Sequence, residues 1–367
     1  MDKELLIYRS DIHQLHSGNC WIILHFRNYT FANIVRIPPK IELIQNDEME
    51  GFLFKIKYYL KDHKLYYNII NMKVIDNNPY SLGKDVYGVK HDVRDIHPIL
   101  MKIILEFDRV CRKNNIPYAL SFGSALGVYN YEGFVPWDDD IDVAINYFDT
   151  DRLVEALKKD LGDEFSFDCY EVNKKYNVLI PNFKIRYKNS YIKEKNTLTL
   201  PNRCKNGDGI FIDVVSFMGI PEDEKEHIKL LKYAKRRMPL YIFLDAFLRI
   251  HPFGMKRKLK KFEYECAEKY KDSDLVSQSV IIPFQDWGDE KDKLAYPKDV
   301  IYPFREYDFN GHKLYSFNNV EEFCRLCYGE KSLRKLVDGK WVDPYPVKKR
   351  NPKHNTTFNL NSSNRRK

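Results

Sequence analysis

The run Trp137-Asp138-Asp139-Asp140-Ile141-Asp142 is the strongest chemical feature of this 367-residue chain. Adjacent carboxylates repel one another unless a positive charge lies among them, and a divalent ion supplies that charge. Flanking apolar residues favour a strand at 135–145, on which alternate side chains would share a face. Asp138, Asp140 and Asp142 would then face one way and Asp139 the other. We therefore predict a Mg²⁺ site on Asp138, Asp140 and Asp142, with Mn²⁺ as the alternative ion.

Gly123 and Ser124 follow an apolar stretch, 118–122, that is typical of a strand. Between a strand and a short helix, a glycine and a serine offer a phosphate backbone N–H groups and a hydroxyl, with no obstructing side chain. One short predicted helix separates the pair from the acidic run. We predict that both residues bind the phosphates of a donor molecule. The alternative is an ordinary tight turn.

Asp213 is a carboxylate inside the apolar strand predicted at 210–215. An unpaired carboxylate in such a strand is costly to bury. We expect Asp213 to be catalytic together with Asp140 and Asp142, either by completing the metal site or by acting as a base toward an acceptor hydroxyl. The alternative is a structural ion pair.

The elements that must position these residues are predicted from apolar periodicity. Apolar side chains recur at helical spacing over 93–113, and further helices are predicted at 125–128, 222–237, 256–271 and 320–328. Strands are predicted at 118–122, 135–145, 183–187 and 210–215. Together these elements predict an α+β fold in which helices flank a mixed sheet.

Domain boundaries follow from shifts in composition. Short aromatic and β-branched runs fill 5–74 and predict a small β-rich accessory domain at 1–80. A catalytic domain is predicted at 90–346, of which 220–346 is mainly helical. The end of the chain, 347–367, is rich in Asn, Ser and Lys and is predicted to be a disordered basic tail.

Charge and cysteine usage limit the cellular setting. The formal net charge of +8 includes seven Lys/Arg of the tail, so the body is almost neutral and nothing indicates a nucleic-acid partner. Seven scattered cysteines favour a reducing compartment. We expect no signal peptide and no membrane-spanning segment. The expected location is the cytoplasm, either soluble or peripheral at the inner face of the membrane.

A basic stretch between Lys235 and Lys261 carries nine Lys/Arg and one acid among large apolar residues. One interpretation is a membrane-surface patch, which would suit an acceptor carried on a lipid. The other is a core helix with a solvated basic face. Composition alone leaves both interpretations open.

Two strings of this sequence resemble the LicD family, which comprises phosphocholine transferases of bacterial surface polysaccharides and teichoic acids and is related to the fukutin-type ribitol-phosphate transferases. They are Leu120-Ser121-Phe122-Gly123-Ser124-Ala125-Leu126-Gly127 and Gly133-Phe134-Val135-Pro136-Trp137-Asp138-Asp139-Asp140-Ile141-Asp142-Val143. The second string is highly specific. The resemblance covers 93–339 and continues more weakly through Phe183-Lys184-Ile185-Arg186, 209–214 and 327–330.

The resemblance implies a nucleotidyltransferase-like core that moves a phosphorylated alcohol, phosphocholine by default, from a CDP-linked donor to a hydroxyl of a glycan or a lipid-linked glycan. It implies that Asp140 and Asp142 hold Mg²⁺, with Asp138 close behind, and that Lys184 or Arg186 holds the donor diphosphate. The chain departs from the family pattern at Asn130-Tyr131, where the family commonly has a basic pair. This departure leaves the identity of the transferred group open.

Other interpretations accompany these predictions. The acidic run could be a solvated or calcium-binding loop, and Lys184 and Arg186 could be merely solvated. Cys324 and Cys327 are interpreted as buried thiols, and His97 and His312 as structural histidines. Two other functions remain as alternatives: a nucleotidyl- or glycosyltransferase that uses the same metal site, and a non-catalytic glycan-binding protein.

Overall fold

The structure is a computed structural model. It describes the strands that lie within 3–75, and it describes residues 80–84, 89–174, 176, 183–194, 209–244, 254–278, 295–338, 340–343 and 355–359. The chain divides into two compact units, Met1–Ser81 and Leu82–Lys367.

The first unit contains two antiparallel sheets. One has the order β1-β5-β6 and the other has the order β2-β3-β4. The strands are β1 Lys3–Ile7, β2 Ile12–Leu15, β3 Asn19–Ile23, β4 Ile34–Arg36, β5 Gly51–Lys61 and β6 Lys64–Ile75. This unit occupies the part of the chain for which a β-rich accessory domain was predicted.

The second unit combines helices with a mixed sheet, which confirms the predicted α+β class. Seven α-helices lie in the described residues: α1 Val93–Lys113, α2 Phe122–Tyr131, α3 Thr150–Asp160, α4 Glu224–Ile242, α5 Met255–Lys269, α6 Lys298–Ile301 and α7 Val320–Tyr328. None of them is long and apolar enough to cross a membrane.

The remaining strands begin at the boundary between the two units. They are β7 Ser81–Lys84, β8 Lys90–Asp92, β9 Tyr118–Leu120, β10 Asp142–Asn146, β11 Phe165–Cys169, β12 Phe183–Tyr187, β13 Tyr191–Glu194, β14 Phe211–Gly219, β15 Leu275–Gln278, β16 Tyr296–Pro297, β17 Arg305–Phe309, β18 His312–Ser316, β19 Lys335–Val337, β20 Lys340–Val342 and β21 Asn355–Asn359.

The main sheet places the predicted site strands next to one another. Its order is β11-β12-β14-β10-β9-β18-β17, and β15 and β16 extend it from the end of β14. β10 and β14 run parallel at the centre, whereas β12 is antiparallel to β14 and β9 is antiparallel to β10. The acidic run leads into β10, the Gly-Ser turn follows β9 and Asp213 lies on β14, so all three are attached to adjacent strands.

The structure begins and ends α1 where the sequence predicts. The Asp92 carboxylate accepts the N–H of Arg94 at 2.8 Å, and the Asp95 carboxylate accepts the N–H of Asp92 at 3.1 Å. This reciprocal capping satisfies N–H groups that have no partner within the helix. The buried face packs on β12 and β14 and consists of the residues that carry the predicted spacing, Val93, Ile96, Leu100, Ile103, Ile104, Phe107, Val110 and Cys111.

The strand predicted at 135–145 is wrong for its first seven residues. The carbonyl of Val135 accepts the N–H of Asp138 at 2.9 Å, which closes a turn with Pro136 in the second position, where the fixed φ of proline fits. β10 begins only at Asp142. Asp138, Asp139 and Asp140 therefore lie on a loop, and strand alternation does not decide where their carboxylates point.

An aromatic cluster fixes the end of the second unit to the main sheet. Phe217 of β14 lies 5.5 Å from Phe317, and Phe323 of α7 lies 4.3 Å from Phe317 and 4.9 Å from Tyr296, between ring centroids. All four side chains are buried. Burying aromatic side chains of this size stabilises each contact strongly, so α7 is held against the strand that carries Asp213.

The C-terminal part of the second unit combines helices and strands. The stretch 220–346, predicted to be mainly helical, contains α4 to α7 and also six strands that the sequence pattern did not indicate. Within the predicted disordered tail, β21 pairs with β13. The other tail residues lie outside the described part of the chain, and their disorder stays a prediction.

The cap of α1 can be tested with a charged and a neutral variant. The bonded Arg94 side chain lowers the pKa of Asp92 below its usual 3.8, so the stabilisation that depends on this charge is complete above that pH and is lost as the pH falls through the lowered pKa. Asp92→Ala should lower the free energy of unfolding by about 1 kcal/mol at neutral pH. Asp92→Asn, which retains a capping acceptor, should lose only the pH dependence. Urea unfolding at neutral and acid pH measures both, and an Asp92→Ala variant as stable as the parent would contradict the capping role.

Candidate functional site

Three carboxylates converge on the loop that precedes β10. Ligand oxygens of Asp138, Asp139 and Asp140 all lie within 4.8 Å of one another. Asp139 and Asp140 are buried, at 2% and 8% exposure. Asp138 and Asp140 were predicted to share a site, but Asp139 was expected to point away. The loop brings Asp139 into the cluster because its backbone does not follow strand geometry.

Asp142 and Asp213 lie side by side on the two central parallel strands. They are register partners in β10 and β14, and the N–H of Asp213 donates to the carbonyl of Ile141 at 2.8 Å. Neighbouring strands are about 4.8 Å apart, and opposed residues share a face. The sheet therefore places a second pair of carboxylates at the start of β10, directly after the loop cluster.

The start of α2 approaches the acidic loop closely at Gly123. A Cβ at this position would lie 2.7 Å from Oδ2 of Asp138, so the carboxylate occupies the space that any other residue would fill. The N-terminus of a helix favours negative charge because its first N–H groups point outward and the helix dipole is positive there. Gly123 thus allows the Asp138 carboxylate to reach a favourable position.

The residue before Gly123 is in a strained conformation. Phe122 has a φ of 46°, in the left-handed region that favours glycine, and such a residue costs roughly 1–3 kcal/mol. Its ring lies 6.1 Å from the rings of both Phe217 and Phe323. This aromatic packing offsets the strain and fixes the sharp turn from β9 into α2.

Ser124 connects the turn to the acidic strand through its side chain. Its buried hydroxyl oxygen accepts the N–H of Asp142 at 3.0 Å. Its own N–H donates to the carbonyl of Ser121 at 2.9 Å, so this backbone group serves the helix and not a phosphate. The predicted contact of Ser124 with a phosphate would therefore use its hydroxyl, whereas the predicted contact of Gly123 would use its backbone.

Lys184 is the buried positive charge next to the carboxylates. Its Nζ lies 2.5 Å from Oδ1 of Asp213 and 3.3 Å from the centroid of the Phe211 ring. In register, Lys184 stands between Asp168 of β11 and Asp213 of β14, and its side chain is only 1% exposed. The geometry supports the ion-pair interpretation of Asp213. Lys184 offsets part of the repulsion between Asp213 and Asp142.

Arg186 lies two residues beyond Lys184 on the same face of β12. Its guanidinium donates to the carbonyl of Gly209 at 2.7 Å and lies 5.0 Å from the Phe211 centroid. Arg186 is buried, and it shares the Phe211 ring with Lys184. The structure therefore brings Lys184 to the carboxylates and holds Arg186 one step farther along the strand.

His97 holds the acidic loop from α1, a role that the sequence did not suggest. Its Nε2–H donates to the backbone carbonyl of Asp138 at 2.8 Å, and its ring stacks on Phe134 with centroids 4.0 Å apart. Burial lowers the pKa of His97, which favours a neutral ring. A lone histidine in a helix carries no sequence signal for such a contact, because its partner is a backbone atom 41 residues away.

A C-terminal clamp fastens the other side of the loop. Tyr131 of α2 lies 6.1 Å from the Trp137 ring, edge to face, and its hydroxyl donates to Asp343 at 2.8 Å. The Arg334 guanidinium stands 5.0 Å above the Tyr131 ring. The position at which the family resemblance breaks down, Asn130-Tyr131, is thus contacted by a cation from the segment that follows α7.

The donor set fits a small divalent cation. Hard carboxylate oxygens, three of them within 4.8 Å, are the ligands that Mg²⁺ and Mn²⁺ favour. The described residues offer no sulfur or imidazole ligand within this cluster. The side chains of Asp138, Asp139 and Asp140 are therefore the metal-ligand candidates, with Asp142 and Asp213 adjacent.

Comparisons with known proteins find similarity over the segment that carries the acidic loop and Asp213. The model of the LicD/FKTN/FKRP nucleotidyltransferase domain matches residues 115–240. The chain is 24% identical over 148 residues to the lipopolysaccharide cholinephosphotransferase LicD of Haemophilus influenzae, covering 40% of this chain and 52% of that protein. It is 28% identical over 128 residues to an uncharacterized protein of Rickettsia prowazekii, covering 34% and 43%. The match spans about half the length of these relatives.

Gly123→Ala tests the close approach of Asp138. The added methyl should displace the Asp138 carboxylate and weaken divalent-ion binding by about tenfold or more, with little loss of fold stability, because the neighbouring atom is the end of a mobile side chain. Mg²⁺ titration followed by thermal unfolding measures both effects. Gly162→Ala is the matched control, since its Cβ would lie 3.1 Å from a carboxylate oxygen of Glu106, away from the acidic loop. Equal Mg²⁺ affinity in Gly123→Ala and the parent would refute the role of Gly123.

Lys184→Met tests the buried countercharge. Breaking a buried ion pair by removing one partner costs about 3–5 kcal/mol, whereas Lys188→Met, at the exposed position directly after β12, should change stability by less than about 0.5 kcal/mol. Adding Asp213→Asn to Lys184→Met should cost less than the sum of the two single changes. Denaturant unfolding of the parent, the two single variants and the double variant supplies the cycle. Strict additivity would show that the two side chains do not interact.

Proposed function

We propose that the chain acts as a member of the LicD family and transfers a phosphorylated alcohol to a glycan, because residues 115–240 match the LicD/FKTN/FKRP nucleotidyltransferase domain and the chain is similar to a LicD cholinephosphotransferase. The donor is a CDP-linked alcohol, with phosphocholine as the first candidate because a relative is named a cholinephosphotransferase. The acceptor is a hydroxyl of a cell-surface glycan or of its lipid-linked precursor. The observation that carries the proposal is the convergence of three carboxylates beside the start of α2.

In this proposal each part of the site has a separate task. Asp138, Asp139 and Asp140 would hold Mg²⁺ or Mn²⁺, which supplies charge neutralisation to a bound diphosphate. The start of α2 at Gly123 and the Ser124 hydroxyl would face the phosphates. Asp142 and Asp213 border the same space on the central strands, where they can orient the ion or the acceptor hydroxyl.

The two basic residues of β12 receive different roles. Lys184 is buried and paired with Asp213, so it serves as an internal countercharge that keeps the carboxylates together before a ligand arrives. Arg186 carries the planar guanidinium that suits a diphosphate, but its guanidinium contacts the carbonyl of Gly209. That bond uses only Nη1 of the five-donor guanidinium, so it does not by itself prevent contact between Arg186 and the donor. Lys184 therefore acts through Asp213, and Arg186 remains the candidate for the donor.

His97 and the C-terminal clamp position the loop without touching the reacting atoms. His97 holds the backbone of Asp138, and Tyr131 supports Trp137 while it is itself held by Asp343 and Arg334. Ligand carboxylates must be held within a narrow range of positions to bind a metal tightly, and such outer contacts provide that restraint. The proposed site therefore depends on residues outside the family match at 115–240.

The experiment is a donor panel with a product readout. The purified chain is incubated with Mg²⁺ and CDP-choline, CDP-ribitol, CDP-glycerol, UDP-sugars or free nucleoside triphosphates, and the release of CMP, UDP or pyrophosphate is recorded. We expect CMP from one CDP-alcohol. Asp140→Ala and Asp142→Ala should each reduce it by roughly a hundredfold or more, because the site loses charge stabilisation worth several kcal/mol.

Asp151→Ala is the control, since Asp151 is an exposed aspartate on α3 outside the site. It should release CMP at the parent rate. Release of UDP or pyrophosphate in place of CMP would assign the same metal site to glycosyl or nucleotidyl transfer. Failure to bind any of these nucleotides or Mg²⁺ would contradict an enzymatic role and favour the glycan-binding alternative.

A further inference from the structure

α4 carries a continuous stripe of exposed side chains along one face. Its members follow one another at intervals of three or four residues, which places them on the same side of a helix. We call it the basic stripe. It consists of Lys225, Lys229, Lys232, Arg236 and Leu240 of α4 and of Phe243, the residue directly after the end of α4. From Lys225 to Phe243, a separation of 18 positions, the stripe extends about 27 Å at the helical rise of about 1.5 Å per residue.

The first four members of the basic stripe are cations with no acid among them. Within the described part of the chain, none of these four side chains forms an ion pair. Glu226, an acid in the first turn, is bonded to Lys269 and Tyr270 of the neighbouring segment. Lys229 lies close enough to help lower the pKa of Glu226, but the bonds of Glu226 go to that segment and not to the stripe. Like charges three or four residues apart disfavour a helix by a few tenths of a kcal/mol per pair. An anionic partner would remove this cost.

The last two members of the basic stripe are large and apolar. Leu240 is 58% exposed and Phe243 is 51% exposed. Scattered apolar side chains are common on soluble surfaces, but these two continue a line of cations at its C-terminal end. Cations with an aromatic and an aliphatic residue on the exposed face are the composition of a helix that lies in a lipid interface.

Packing on the other side of α4 fixes the stripe outward. Tyr233 stacks on Phe262 of α5 with centroids 4.4 Å apart, and Tyr241 is buried at 2% exposure. The Arg237 guanidinium lies 3.6 Å from the Tyr233 centroid. Rotation of α4 to bury the stripe would break these contacts. Of the two interpretations of 235–261, the solvated core helix explains the packed face but not the exposed apolar end.

We infer that the basic stripe of α4 is a docking surface for an anionic lipid bilayer. The cations fit the negative headgroups, and Leu240 and Phe243 fit the boundary between headgroups and acyl chains. A surface that binds only phosphate groups would have no need of two exposed apolar side chains. The stripe starts ten residues before the basic stretch seen in the sequence, at Lys225. This inference does not depend on the identity of the transferred group, although a lipid-linked acceptor would bring the proposed substrate to the same surface.

The test is flotation of the full chain with vesicles, without any nucleotide or acceptor. Binding is expected to phosphatidylcholine vesicles that contain phosphatidylglycerol, to weaken with salt, and to be nearly lost on pure phosphatidylcholine. Each cation near an anionic surface contributes about 1 kcal/mol, roughly fivefold in partitioning. The triple change Lys229→Gln, Lys232→Gln and Arg236→Gln should therefore weaken binding on the order of a hundredfold. Leu240→Ser with Phe243→Ser should weaken it and increase its salt sensitivity.

The charge-matched control replaces three exposed lysines elsewhere, Lys158, Lys159 and Lys188, by glutamine. It should bind within a fewfold of the parent, and Asp140→Ala should bind like the parent, which separates this inference from the proposed reaction. Equal loss in the control triple would show that net charge, and not the stripe, drives binding. Binding to single-stranded DNA but not to vesicles, or equal binding to both vesicle types, would overturn the inference.

Discussion

Repulsion among carboxylates is the constraint around which the second unit is organised. Three aspartates bring their oxygens within 4.8 Å of one another, and two more stand in register on the adjoining strands. Two like charges about 4 Å apart repel by about 4 kcal/mol at the dielectric typical of a protein surface. Each neighbour reduces this cost in its own way. The start of α2 places its positive end beside Asp138, Lys184 brings a full positive charge to Asp213, and His97 fixes the loop backbone.

These contacts join segments that are distant in sequence, so the site exists only in the assembled sheet. Ser124 reaches Asp142 across 18 residues, Lys184 reaches Asp213 across 29 and His97 reaches Asp138 across 41. Arg334 and Asp343 approach from more than 200 residues away. The strand order β12-β14-β10-β9 is what makes them neighbours. A divalent ion would then complete a charge balance that the protein begins with its own cations and dipoles.

The parts of the fold and of the candidate site that the sequence predicts are those marked by a pattern among neighbouring residues. The helices α1 and α7 were predictable because their apolar spacing is regular, and the strand of Asp213 was predictable because it is an uninterrupted apolar run. The apolar flanks of the acidic loop predict a strand, and nothing in the sequence pattern marks the turn at Pro136 that keeps the loop out of β10. Asp139 was consequently assigned to the wrong side. Lys184, His97 and Arg334 gave no local sign of their roles, because their partners are fixed by sheet order and, for His97, by a backbone atom.

The central claim is that the loop carboxylates, including Asp139, are the ligands of one divalent ion next to the start of α2. Anomalous scattering from a crystal grown with Mn²⁺ and a CDP-linked alcohol would locate the ion directly. The account predicts one strong peak within coordination distance of oxygens of the Asp138 to Asp140 cluster, with the diphosphate on its open side. A nucleotide bound with its Mn²⁺ elsewhere, or a peak held only by Asp142 and Asp213, would contradict it.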